Sequence, residues 1–183
     1  DTTPMLRDVN DLPSSPFYQL LKWDFNREGQ KLVELTTIEQ SWRYLRALFS
    51  FLDFEGDSDS LLEIFFAMWN AVKTTYPDLW GRDGVFMTKV NITAMNEFLA
   101  ESLKKAWQFG LVKDIFDPSI IQNQVMDILK RIPQNFWEEQ WSIKVQDNAN
   151  VRNQIKEDLE RLIANYNLGR SWYENLLLPV VNE

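Results

Sequence analysis

Residues Leu61–Gly110 read LLEIFFAMWNAVKTTYPDLWGRDGVFMTKVNITAMNEFLAESLKKAWQFG, and the fold turns on them. Leu61, Leu62, Phe65, Met68, Trp69, Val72 and Tyr76 recur at helical spacing, and Ile64 and Phe66 lie off that stripe. A helix apolar around most of its circumference belongs at the centre of a domain. Pro77 ends it, because the residue before a proline avoids the α region. A tight connection (PDLWGRDG) and a short apolar run (VFMTKV) follow, and that run can be extended. Asn91 can cap a second helix reaching about Phe109, with Met95, Phe98, Leu99, Leu103 and Trp107 facing inward. Gly110 suits the left-handed position beyond its end. Most of the buried surface is expected around this pair.

Toward the N-terminus, Asp1–Pro16 contains Pro4, Pro13 and Pro16 with little periodicity and reads as an extended arm. LLKWDF and QKLVEL flank Asn26–Gly29, whose residues suit a reversing turn, so a small β-hairpin is expected over about residues 20–35. A helical start after Pro16 is its rival. Thr36 and Glu39 have the spacing of a capping box. Ile38, Trp42, Leu45, Leu48, Phe49 and Leu52 then recur helically toward Asp53. Ser58 or Asp59 can cap the central helix.

Toward the C-terminus, Asp117-Pro118 is a helix-start signal, with Ile121, Val125, Ile128 and Leu129 on the stripe and Pro133 as the stop. Trp137 and Trp141 share a face if NFWEEQW is helical. Gln146–Asn150 is polar and reads as a loop. Val151, Ile155, Leu159, Leu162, Ile163 and Tyr166 mark a last amphipathic helix that Gly169 ends. The tail holds Trp172, Tyr173 and LLLPVV, too apolar to float free, so it is expected to dock on the body or on a partner.

The expected architecture is mainly α: a compact helical domain of about five or six helices with a small N-terminal β-hairpin. An arm covers 1–16 and one domain 17–183, with helices at about 37–53, 59–76, 91–109, 118–132 and 148–168. The bulk numbers agree. The 183 residues are 45% apolar and 14% aromatic, enough for an aromatic-rich core. A formal charge of −8 opposes unspecific contact with phosphate backbones, and no Lys/Arg run exceeds two residues. With no Cys and no His, the chain lacks disulfides, thiol nucleophiles, imidazole bases and the usual zinc ligands. No cofactor and no metal are expected. No signal peptide or membrane span is legible, and a cytoplasmic location is expected. The start at Asp1 rather than Met points to a fragment or a processed product.

Few residue patterns carry chemistry. Asp53, Glu55, Asp57 and Asp59 alternate between two helices, yet the twelve-residue calcium loop needs Gly at its sixth position and Glu at its twelfth. Counting from Asp53 puts Ser58 and Ile64 there. A solvated acidic turn is the better reading. Gly81-Arg82-Asp83-Gly84 has the bare form of a backbone-clamping G-x-x-G, but a glycine turn between helices explains it as well. Trp80, Trp107, Trp137, Trp141 and Trp172 could stack bases, but such platforms sit in basic grooves. Trp80 and Trp172, with Tyr173 beside it, lie outside clear helical periods and are the candidates for partner contact, core packing being the alternative. Glu138/Glu139 and Glu157/Asp158 are helix neighbours that point apart. Glu63 sits in the apolar helix, on its narrow exposed edge or else buried with a cationic partner. No catalytic set assembles from local spacing.

Three stretches together resemble one family: SPFYQLLKW with VELTTIEQSWRYL (from Ser15 to Leu45), IFFAMWNAVKTTYPDLW (Ile64–Trp80) and VFMTKVNITAMNEFL (Val85–Leu99). In that order they look like the C-terminal helical portion of DGQHR-domain proteins, bacterial and phage relatives of the regulator of DNA phosphorothioate modification. The defining D-G-Q-H-R string is absent, as is every His, so no family active-site residue carries over. The resemblance transfers only Trp80, Thr88 and Lys89, as link positions. It implies a non-enzymatic helical accessory or interaction domain linked to bacterial or phage DNA modification. One alternative is a part of a nucleotide- or DNA-processing enzyme whose active site lies in other sequence. Another is a self-association module. The expected partner is a protein, or a second copy met through the C-terminal tail. Direct nucleic-acid binding and membrane association are not expected.

Overall fold

The computed structural model describes residues 1–23, 33–52, 58–81 and 84–179. The main helices are α1 (Thr3–Asp11), α2 (Leu35–Leu48), α3 (Ser58–Thr75), α4 (Lys89–Gln108) and α5 (Pro118–Leu129). Two single turns, α6 (Asn135–Glu138) and α7 (Trp141–Lys144), precede α8 (Ala149–Asn167). The chain is mainly helical, and among the described residues none is long and apolar enough to cross a membrane.

The apolar α3 lies at the centre as its pattern requires. Phe65, Met68, Trp69, Ala71 and Val72 are fully buried, and Glu63 is exposed. α3 packs chiefly on α5, and α4 packs between α2 and α8. Contacts from α2 to α4 advance in one direction: Asn96 Nδ2 donates to the Ser41 carbonyl (2.9 Å), the Tyr44 hydroxyl to Glu101 (2.5 Å), and the Phe51 ring lies 4.9 Å from Trp107. From α4 to α8 they advance likewise, Glu97 meeting Arg152 and Glu101 meeting Lys156. The three helices therefore run parallel, and their C-terminal ends share one end of the molecule.

The corner after α3 is built on aromatic contact. Pro77–Leu79 forms one tight 3-10 turn. Trp80 then donates its indole N–H to the Pro16 carbonyl (3.0 Å), and its ring lies 5.1 Å from Phe17, 5.9 Å from Trp69 and 6.4 Å from Phe86. Gly84 passes so close to the Leu79 carbonyl that a Cβ there would collide with it. Gly110 takes φ +75° past α4, as expected of a left-handed stop. Asp117 caps α5, accepting from Ser119 N, with Pro118 in the first turn.

Several expectations are corrected. The extended arm is in large part helix α1. Pro4 falls in its first turn, where a missing N–H is tolerated. Leu6, Val9 and Asn10 are buried, and the Asn10 side chain accepts the Leu21 N–H (3.1 Å), which ties the segment down. The β-hairpin finds no support among the described residues. Among the described residues there is no strand, only one bridge, Leu21 with Val33, and it is parallel. Lys22 N donates to the Val33 carbonyl (2.8 Å) and Val33 N to the Leu20 carbonyl (2.7 Å). A short reversing turn joins antiparallel neighbours, so it cannot give this pairing. Asn26–Gly29 lies outside the described residues, as do Asp53, Glu55 and Asp57 of the acidic link and Arg82-Asp83 of the glycine pair. α2 starts at Leu35, capped at Glu34 without a side-chain bond, so Thr36 lies inside the helix and the capping box is not used. Thr88, not Asn91, caps α4; its hydroxyl accepts from Asn91 N, while the Asn91 side chain is buried and donates to the Ser142 carbonyl. Trp137 and Trp141 belong to separate turns, yet both are buried with rings 5.9 Å apart. Val85–Val90 is turn and helix start rather than extended, and Tyr166 faces solvent.

Candidate functional site

A polar cleft of about 260 Å3 opens where α2, α4 and the start of α8 meet. Gln40, Ser41 and Tyr44 line it from α2, Thr93, Asn96 and Glu97 from α4, Asp147 from the link before α8, and Arg152 from α8. The parallel packing explains the composition. α4 buries polar residues on the side facing α2, because Asn96 is fully buried with both ends of its amide engaged. Its Oδ1 accepts the Trp69 indole N–H (3.1 Å) and its Nδ2 donates to the Ser41 carbonyl (2.9 Å). That clamp forms the floor. The Tyr44–Glu101 hydrogen bond, the next contact along the two helices, fixes the wall. Thr93 turns its hydroxyl back to the Lys89 carbonyl (2.6 Å).

An alternating chain of charges runs along one side. Lys89 Nζ lies 3.9 Å from Asp147, Arg152 reaches Asp147 at 2.7 Å and Glu97 Oε2 at 3.2 Å, and Lys156 lies 3.8 Å from Glu97 and 3.1 Å from Glu101. Three cations meet three carboxylates, so the set is neutral. Burial raises the Glu97 carboxyl above its ordinary range, against the pull of Lys156 and Arg152. Burial also raises the Tyr44 phenol, and its bond to the Glu101 carboxylate adds to that. Beside the cleft, the Ser41 hydroxyl and Glu97 Oε2 are closed to solvent and make no hydrogen bond among the described residues, although Glu97 Oε2 keeps its ion pair with Arg152. The cleft thus offers fixed hydrogen-bonding groups with cancelled charge. No cluster of three or more His, Cys, Asp or Glu among the described residues is arranged to hold a metal.

The five residues singled out in the sequence do not converge. Trp80 belongs to the aromatic corner, half-buried. Thr88 caps α4. Trp172 and Tyr173 sit in the tail, rings 5.6 Å apart, and Asn165 on α8 donates to the Trp172 carbonyl (2.9 Å). Lys89 alone approaches the cleft, at the outer end of the charge chain, 3.9 Å from the lining residue Asp147. Sequence reasoning missed Ser41, Asn96, Glu97 and Arg152. A signal for the last two was present: Glu97 and Glu101 are four apart on one helix, as are Arg152 and Lys156 on another, which is the spacing of two complementary helix faces.

Compared with known protein families, curated proteins and solved structures, the chain matches none.

Proposed function

We propose that this chain is a non-enzymatic helical interaction domain, the accessory portion of a DGQHR-like protein linked to bacterial or phage DNA modification. The family half of the proposal rests on the three stretches quoted above. The interaction half rests on one observation, the apolar end of the molecule. Phe109 and Leu111, just past α4, are 80% and 70% exposed, and Tyr166 and Leu168, at the end of α8, are 54% and 62% exposed. Because α4 and α8 run parallel in register, these four residues lie at one end. Large apolar side chains gathered on a surface mark sites of protein contact far more than scattered ones do.

The test is a photo-reactive phenylalanine analogue placed at position 109 or 168 in the cells that make this chain, with Asn153 near the start of α8 as control. The expected result is one discrete adduct from 109 and 168, lost on Leu111→Asp and absent at 153. Equal labelling at all three, or none, overturns the interaction reading. A duplex titration followed by tryptophan fluorescence at low salt separates the nucleic-acid question. No response is expected from this acidic chain, and saturable quenching would replace the protein partner with DNA.

A further inference from the structure

We infer that the apolar end of the molecule receives an acidic amphipathic segment of another protein, one that sets large apolar side chains among Asp and Glu. The inference rests on the interaction reading above and names the chemistry of its partner. The charge at that end is unlike the charge of the whole. Lys104–Lys113 (KKAWQFGLVK) holds three lysines and Arg161–Arg170 (RLIANYNLGR) two arginines, and neither stretch has an acid, in a chain of formal charge −8. These same stretches carry the exposed Phe109, Leu111, Tyr166 and Leu168. Lys105, Lys113, Arg161 and Arg170 are exposed as well, and among the described residues none of them enters an ion pair. Further back along the same two helices, Arg152 and Lys156 are both paired with carboxylates of α4. Lys104 lies over the Phe51 ring, 5.1 Å from its centroid.

The helix dipole favours a cation in a last helical turn, which accounts for Lys105. It does not account for Lys113 and Arg170, which lie beyond α4 and α8. Arg170 is folded back on the end of α8, its N–H donating to the Asn165 carbonyl (2.9 Å). An apolar centre with a charged rim is the anatomy of a protein interface, and here the free rim charges are positive. A partner carrying carboxylates meets them with complementary potential. A second copy would bring the same cations face to face in a two-fold contact, which is repulsive. A nucleic acid would set phosphates on the cations but leave Leu111 and Leu168 without apolar partners. An anionic bilayer would also face Asp114 and Glu160, which stand one residue outside the two stretches. A single helix about 10 Å across can cover the ends of two helices about 8–10 Å apart and leave those acids in solvent.

Cross-link sequencing with charge reversal decides it. The photo-reactive phenylalanine analogue is placed at position 109 in the cells that make this chain, in the parent and in Lys105→Glu/Lys113→Glu/Arg170→Glu. Lys73→Glu, an exposed cation in the last turn of α3, is the control. The adduct is digested, and the peptide joined to position 109 is sequenced. The expected peptide sets Asp or Glu among large apolar residues. The yield should fall tenfold or more in the triple variant and hold in Lys73→Glu. Irradiating an extract of the parent with and without added salt repeats the test without a variant that could misfold, and the yield should fall as salt rises. A joined peptide without acids, an adduct of two copies of this chain, or a yield that neither salt nor reversal moves overturns the inference and leaves the interaction reading standing. A lipid adduct, or no adduct at all, overturns both.

Discussion

Asn96 shows how much one side chain decides here. Its amide joins three elements by donating to α2 and accepting from α3, from a position with no access to solvent. No apolar residue could replace it, because both neighbours are polar groups that have lost water. Asn96→Ala leaves the Trp69 N–H and the Ser41 carbonyl buried without partners, at about 1–3 kcal/mol each, so a loss of about 2–6 kcal/mol is expected. Urea denaturation checks it: the midpoint falls with the slope unchanged. A loss below about 1 kcal/mol would mean that water reaches the amide. This role was not legible in the sequence. Asn96 sits between Met95 and Phe98 on an apolar stripe, and spacing says which face a residue takes, not which donor waits opposite. Glu63 was legible, since an exposed edge is the cheapest place for an acid on an apolar helix, and the structure puts it there.

Among the elements, the helices with continuous stripes were readable and their ends were not. α3, α4, α5 and α8 follow the periodicity because burying an apolar stripe dominates the choice of helix. Caps depend on single hydrogen bonds, so Thr88 could displace Asn91 and Glu34 could stand ahead of Thr36. α1 was lost because prolines obscure a short helix, although Pro4 stands where a first turn accepts it. The hairpin failed for another reason. Alternation proposes a strand, but its partner is chosen by tertiary contact, and Val33 meets Leu21 in parallel. The α4–α8 seam carries its own pH signature. Burial raises the folded Glu97 pKa above its unfolded value, so the folded chain holds this proton more tightly than the unfolded chain does. Its favourable contribution is complete below the ordinary glutamate range and is lost as pH rises through the raised value. Glu97→Gln removes this dependence, and Arg152 and Lys156 keep Asp147 and Glu101 as partners. Stability of the variant relative to the parent should therefore improve between about pH 4 and about pH 7. Chemical denaturation at both values measures the difference, and a change of the opposite sign would make the ion pairs dominant over burial.

On the scale of the whole molecule, the tail expresses the same economy of buried polar anchors. The sequence required the apolar tail to dock but could not say where, because nothing local distinguishes its own body from a partner. It folds back along α8. Asn165 donates to the Trp172 and Glu174 carbonyls (both 2.9 Å), and the Asp158 carboxylate accepts the N–H groups of Leu177 (2.7 Å) and Leu178 (3.0 Å). Trp172, Leu176 and Leu178 pack against the core. Asp158 is 1% exposed, and burial raises its carboxyl while the two tail N–H groups pull it back. Both anchors read backbone, so the tail is held by its path as well as by its side chains. Asp158→Asn keeps the size but trades one acceptor oxygen for an N–H group that faces other N–H groups. Hydrogen bonds to a charged acceptor contribute about 1.5–3 kcal/mol, so the Leu177 and Leu178 amides should exchange with solvent about ten- to a hundredfold faster. The amides of α3 should be unchanged, because the tail's hydrogen bonds go to α8. Acceleration spread over α3 and α4 as well would mean that the tail is part of one cooperative unit with the core rather than a strap laid upon it.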